Sequence, residues 1–201
     1  MPNFWQEGVN EGNIVGGPAR VLVSKRSVTT YPELISDVLD LTTYQPQADW
    51  YDVGHTSEAF ANTSGFDTTN WVSQQSGIIN VQVGNWNRRI SLTLMEGRNN
   101  TVMDLVHEAE GRTSNSDGDE VEYFYDKSNI TEWRVAAISL QESEVAGENM
   151  IMDVFPFCKR SGADSETSWS RSDPQTHTLE MIPFPEPDAP YDASWYRVSQ
   201  T

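Results

Sequence analysis

The side chains that could do chemistry in this chain are scattered. His55, His107 and His177 stand far apart with neither a His-x-His pair nor HExxH spacing, so no zinc-ligand set is spelled out. Cys158 has no partner for an intrachain disulfide, and within the apolar run MIMDVFPFC it reads as a small core side chain in a reducing compartment. No serine sits in a GxSxG elbow. Asn115, Asp117 and Asp119, with Asp126 at the twelfth place, offer alternating oxygen ligands. Glu120 stands where a calcium loop needs glycine, and the flanks read as strands, so a solvated turn is the better reading. Glu120 with Glu122, or Glu142, Glu144 and Glu148, could be imagined facing each other across a cleft as glycosidase carboxylates. Among 30 acids, however, such pairs arise by number alone. The sequence therefore predicts no catalytic residue, no metal and no cofactor.

The charge pattern excludes more. Thirteen basic against 30 acidic residues leave −17, which opposes attraction to a phosphate backbone. An acidic wall repels DNA, a useful property where DNA has to pass without sticking. Arg88 and Arg89 beside Trp86 suggest nucleic-acid stacking, but in so acidic a chain they are better read as pairing with acids across a sheet. No apolar run approaches the roughly 20 residues a bilayer span needs. The start, MPNFWQEGVNEG, lacks the basic-then-apolar order of a secretory leader. The expectation is a soluble protein with no membrane partner.

The elements that must position any site are mostly strands. With 201 residues, 37% of them hydrophobic, and seven each of Trp, Tyr and Phe, one domain with a packed core is expected. Residues 1–18 read as an N-terminal arm, 19–183 as the domain and 184–201 as a C-terminal tail. The prolines at 183, 185, 187 and 190 keep that tail out of a sheet. ARVLVS, VEYFYD, EWRVAAISLQ, MIMDVFPFC and HTLEMIPF read as strands, and Pro32 to Leu39 holds a short helical possibility. Residues 56–76 form a long polar loop, and 159–176 a second one. Between them IINVQVG and RRISLTL alternate, so NWN at 85–87 is expected to turn a β-hairpin whose wet face carries Asn80, Gln82, Arg89, Ser91 and Thr93. The period then becomes helical over about 100–110, with Asn99 or Asn100 capping the start and Gly111 the end. The predicted fold class is mainly β: an antiparallel β-sandwich or barrel-like domain with one flanking α-helix, long loops and extended termini.

The order of these features resembles the major tail, or tail tube, proteins of long-tailed viruses of bacteria. The resemblance runs from about Gly17 to Gly111 and more loosely beyond. It is carried by DWYDVGHTSEAF, with Trp50, Asp52, Gly54, Thr56, Ser57 and Glu58, then by Asp67 and Trp71 in the polar loop. Arg89, Thr93 and Leu94 lie ahead of a Glu-x-x-Asn helix start with Glu96, Asn99 and Leu105. The loop here is less acidic than the family's pattern, and VGNWN is individual to this chain.

The resemblance implies a β-sandwich assembled as six-membered rings that stack into a hollow tube, the conduit for DNA delivery. The partners it implies are further copies of the chain and the tape-measure, terminator and distal tail proteins, while DNA passes without specific binding. The place it implies is the virion tail, after assembly in the host cytoplasm. In this reading Trp50, Tyr51, Thr56, Ser57, Glu58, Phe60, Phe66, Asp67 and Trp71 belong to an inter-ring or inter-subunit loop that orders on the next copy. Trp50 and Tyr51 anchor its base, and the wet hairpin face lines the lumen. A carbohydrate-binding β-sandwich using tryptophans as stacking platforms is the different-class alternative. Within virions, a capsid decoration or tail-terminator protein is the other.

Overall fold

The computed structural model of the protein describes residues 19–28, 30–56, 60–73, 77–96, 99–108, 111–114, 116–117, 119–123, 130–143, 147–162, 167–168, 175–187 and 193–199. The N-terminal arm 1–18 lies outside them, as do Ser57, Glu58, Asn115 and Asp126. Eleven strands and one α-helix are formed among these residues: β1 (Ala19–Lys25), β2 (Tyr51–Asp52), β3 (Ala61–Ser73), β4 (Gly77–Leu94), α1 (Asn100–His107), β5 (Gly111–Ser114), β6 (Glu120–Tyr123), β7 (Glu132–Ser143), β8 (Gly147–Arg160), β9 (Thr167–Ser168), β10 (Thr176–Pro183) and β11 (Tyr196–Ser199). One antiparallel sheet runs β2-β1-β7-β8-β10-β4-β3, with β9 added to β10 and β11 to β8, and β5 with β6 forms a separate pair.

The sequence explains which strands lie inside. In β1, Val21 and Val23 face a first apolar cluster while Leu22 between them faces a second. Likewise β7 turns Val135 and Ala137 one way, Ala136 and Ile138 the other. Strands covered on both faces need unbroken apolar runs, which is why VLV and VAAI do not alternate with polar residues. Covered on one face only, β4 and β10 do alternate: Ile90, Leu92, Leu94, Leu179 and Met181 are buried, while Arg89 is exposed and Ser91, Thr93 and Glu180 are half-buried. The two halves of the sheet meet at a corner where β8 pairs β10 at only three positions, Arg160, Lys159 and Cys158 against Met181, Ile182 and Pro183. Folding there brings β1, β4 and α1 around one core, the mainly β, barrel-like sandwich expected. Pro156 lies inside β8 where the β7–β8 register shifts between Trp133 and Val135; its missing N–H costs no ladder bond there, and its carbonyl accepts from Arg134.

Several expectations are corrected. NWN is no turn: β4 runs unbroken from Gly77 to Leu94 and pairs with β3, so the polar loop 56–76 is largely a strand. Between Phe66↔Trp86 and Thr68↔Val83 the ladder sets Gly84 and Asn85 against Asp67 alone, a β-bulge, and a Cβ at Gly84 would make a tight contact, 3.2 Å from the Asp67 carbonyl oxygen. The helix is shorter than 100–110. Asn99 accepts from the Thr101 N–H at 2.9 Å, Asn100 is the first helical residue, and the left-handed residue at the end is Glu108 (φ 54°), whereas Gly111 opens β5. Pro32 to Leu39 yields only a 3-10 turn, Ile35–Asp37. Within 159–176, β8 continues to Arg160 and β9 adds to β10. The C-terminal tail does enter the sheet: its proline-free end forms β11 along β8, Tyr196↔Val154 to Ser199↔Ile151.

That tail is clasped by a buried charge cluster. Glu186 accepts from Arg134 at 2.9 Å and from Arg26 at 3.0 Å, with the Arg134 and Glu186 side chains 6% and 5% exposed. Arg26 also reaches Glu132 at 2.6 Å, and Lys159 reaches Glu132 at 3.0 Å. The hydrogen bonds from Lys159 and Arg26 hold the Glu132 carboxyl below its ordinary range. Further along, burial pushes the Tyr196 phenol up, and its hydroxyl donates to the Pro32 carbonyl at 2.5 Å.

Removing one partner of a buried pair strands the other charge. Glu186→Ala is therefore expected to lower the unfolding free energy by about 3 kcal/mol or more, read as a lower urea midpoint at unchanged m-value. Burial also holds His177 below its ordinary pKa of 6.5, so the unfolded chain takes up a proton that the folded one refuses. Stability is expected to be complete above about pH 6.5 and to fall as pH drops towards the folded value. Tm measured against pH should flatten over that window in His177→Gln.

Candidate functional site

The residues singled out by the sequence fall into two structural groups, a brace and an arm. The brace joins the end of β2 to the start of α1. Asp52 pairs with Arg20 at 2.6 Å and accepts from the Gly54 N–H at 2.8 Å. Glu96 accepts from the His55 N–H at 3.0 Å and from the Asn99 side-chain amide at 3.2 Å. The same Asn99 amide donates to the Asp52 carbonyl at 3.1 Å while its oxygen caps the helix. Gly54 has φ 75°, and a Cβ there would land 2.1 Å from the Glu96 carboxyl carbon. Only glycine meets both demands. Arg20, which also donates to the Tyr44 carbonyl, is the brace residue the sequence reading missed. Its one signal is position, in the strand that pairs with β2.

Trp50 and Tyr51 divide. Trp50 is buried in the second cluster and anchors the segment, whereas Tyr51 is 50% exposed. Thr56 bridges Leu94, and Phe60 packs against Phe155 with ring centroids 5.7 Å apart. These contacts tie the root of the arm to the core.

The arm itself is β3 with the first part of β4. β10 covers β4 only from Ile90 to Leu94, so from Arg89 back to Gly77 the described pairing of β4 is with β3 alone. At about 3.3 Å per residue this two-stranded ribbon is roughly 40 Å long. A second shift, between Trp71↔Asn80 and Val72↔Ile78, sets an extra residue into β4. The two bulges restore the phase of the strand: positions 80, 82, 89, 91 and 93 fall on one face and 78, 81, 83 and 86 on the other, continuous with Ile90, Leu92 and Leu94. Asn80, Gln82, Arg89, Ser91 and Thr93 thus share a face through bulges instead of a turn. Arg89 is committed across the sheet to Glu180 at 3.0 Å. Arg88 lies over the Trp195 ring at 4.8 Å, and Arg197, paired with Asp153 at 2.7 Å, lies over the same ring at 5.7 Å. Phe66 (48%) and Asp67 are exposed, and Trp71 takes its place in β3 opposite Asn80.

Titratable groups come together differently from the sequence expectation. His107 and His177 are in edge-to-face contact at 5.6 Å, far apart in sequence but joined where α1 packs on β10. Burial pushes the Cys158 thiol up. Among the described residues no group of three His, Cys, Asp or Glu side chains could hold a metal, and no helix is long and apolar enough to cross a membrane. A cavity of about 420 Å³ opens between β2, the end of β1 and the start of α1, lined by Lys25, Val28, Asp49, Tyr51, Asp104 and Trp133 among others.

With this geometry the chain was compared with known proteins. It overlays a crystal structure of Hcp protein. The alignment covers 83% of this chain and 88% of that chain at 12% identity and a TM-score of 0.37, which assigns neither family nor function. No family model and no curated protein matches the chain.

The brace gives its own test. Gly54→Ala places a methyl group in the Glu96 carboxylate at a left-handed residue and is expected to destabilise by about 2 kcal/mol or more. Asn99→Ala removes the cap and one tie to β2, at about 1–2 kcal/mol. Because both act through one network, the double variant should cost less than the two separately, as denaturant titration of all three would show.

Proposed function

We propose that this protein is a structural subunit that polymerises with copies of itself, and that the polymer is a tube of stacked rings, the tail tube of a virus that infects bacteria. The observation that carries the reading is the arm. A lone two-stranded ribbon is at best marginally stable in water, and β3 leaves its outer edge without a described partner over thirteen residues. Such an edge is a template for strand addition by another chain. The other end of the strand order is also lightly covered, since β2 pairs with β1 only at Leu22 and Val23. Copies joined edge to edge by rotation close into a ring, while head-to-tail contacts propagate without limit.

Charge fits the same role. The arm, residues 61–89, contains one acid, Asp67, against Arg88 and Arg89, so it carries +1 within a chain of −17. It is able to approach another copy without adding to like-charge repulsion. The face carrying Asn80, Gln82, Arg89, Ser91 and Thr93 is the proposed lumen lining, hydrated and, against the acidic chain as a whole, unattractive to DNA. Six subunits per ring, a non-catalytic role, a place in the virion tail and tape-measure, terminator and distal tail proteins as partners belong to this proposal through the resemblance of the sequence.

Negative-stain microscopy of the purified chain should show filaments or stacked rings. Replacing residues 64–88 by an Asn-Gly turn joins Thr63 to Arg89, which already face each other in the ladder. The shortened chain is expected to keep its circular dichroism and remain monomeric in sedimentation. Tubes formed without the arm would refute its role.

A further inference from the structure

We propose that the cavity between β2 and the start of α1 is a socket for the arm of a neighbouring copy, with Phe66 as the seated side chain. The inference rests on the self-assembly reading above and names the surface that the arm meets. β2 and β3 stand at opposite ends of the strand order, so copies that join edge to edge bring the β2 side of one against the β3 side of the next. The cavity opens at that β2 end. Its walls include two side chains left in water, Tyr51 at 50% and Val28 at 56% exposure, above the buried ring of Trp133. Exposed aromatic and aliphatic walls around a concave site are suited to an aromatic anchor.

On the donor side, Phe66 in β3 is a large apolar side chain 48% exposed. It lies beside the Asp67 bulge, and bulges re-aim neighbouring side chains. The rim of the cavity carries Asp49 and Asp104 against Lys25, whose ammonium sits 4.0 Å from Asp104. This net negative rim suits a segment whose balance is positive, as the arm's is, with Arg88 two residues beyond Trp86, the ladder partner of Phe66. An acidic segment of the same protein would be repelled there, and the arm is not.

The test places thiols at both ends of the contact in the full chain, Phe66→Cys with Val28→Cys, and treats assembled protein with a short bismaleimide cross-linker. Both positions are exposed, so the fold is kept, and Cys158 is buried with its thiol pushed up and does not compete. Covalent multimers are expected from this pair and not from either single variant or from Phe66→Cys with Val121→Cys. Filaments whose 66 and 28 thiols stay unlinked overturn the socket and leave the tube standing. Linked dimers that never become filaments support the socket and overturn the tube, and a chain that neither polymerises nor links overturns both. Tyr51→Ala, which removes a wall of the socket, is expected to raise the concentration needed for assembly about tenfold; an unchanged threshold counts against it.

Discussion

Backbone pairing is the constraint on which this structure turns. β4 is eighteen residues long, yet β10 covers only its last five, and the remainder must satisfy its N–H and C=O groups with β3 or with solvent. Everything distinctive about the molecule follows from that mismatch in length. The covered part of β4 is core, with Ile90, Leu92 and Leu94 buried; the uncovered part is a ribbon whose outer strand has no partner on its far edge among the described residues. A similar imbalance recurs in β7 and β8, where β1 stops at Ser139 and β11 at Ile151 while the hairpin continues to Ser143↔Gly147. There the register sets Glu142 opposite Glu148, a like-charge rung that an isolated ribbon would not favour.

The body holds these extensions rigidly at their roots. Thr56 and Phe60 tie the start of β3 to Leu94 and Phe155, Arg89 is fixed to Glu180, and Arg88 stacks on Trp195 from the returning C-terminal strand. Arg160 donates to the Val106 carbonyl at the end of α1, where a cation also meets the negative end of the helix dipole. Glu186, locked between Arg26 and Arg134, fixes the chain where it leaves β10, so the strand that follows is delivered to the β8 edge. Polar contacts of this kind specify direction, while the apolar clusters supply the larger part of the driving force.

The residues on which the sequence resemblance rests divide by task. Asp52, Gly54, Glu96 and Asn99 form the brace and are explained by hydrogen bonds within one copy. Asp67 and Trp71 lie on the arm, at the first bulge and opposite Asn80. The first set explains how the scaffold is built, and the second lies on the ribbon that projects from it.

The sequence by itself determined the composition of the core and the local elements. The unbroken runs of β1 and β7, the alternation of RRISLTL and the Asn99 cap were legible because they follow from periodicity and from hydrogen bonds a few residues long. Tertiary structure alone decided the rest. NWN at 85–87, following Gly84, read as a turn because a glycine in an alternating strand looks the same at a bulge and at a reversal until the partner strand is known. The polar stretch 61–73 was hidden because residues 62–67 are exposed and its pairing comes from backbone groups that side-chain patterns do not report. β11 was hidden by four preceding prolines, and the Glu186 clasp by a separation of 160 residues from Arg26. Contacts so distant in sequence depend on the corner at which the sheet folds over, and no local pattern encodes that corner.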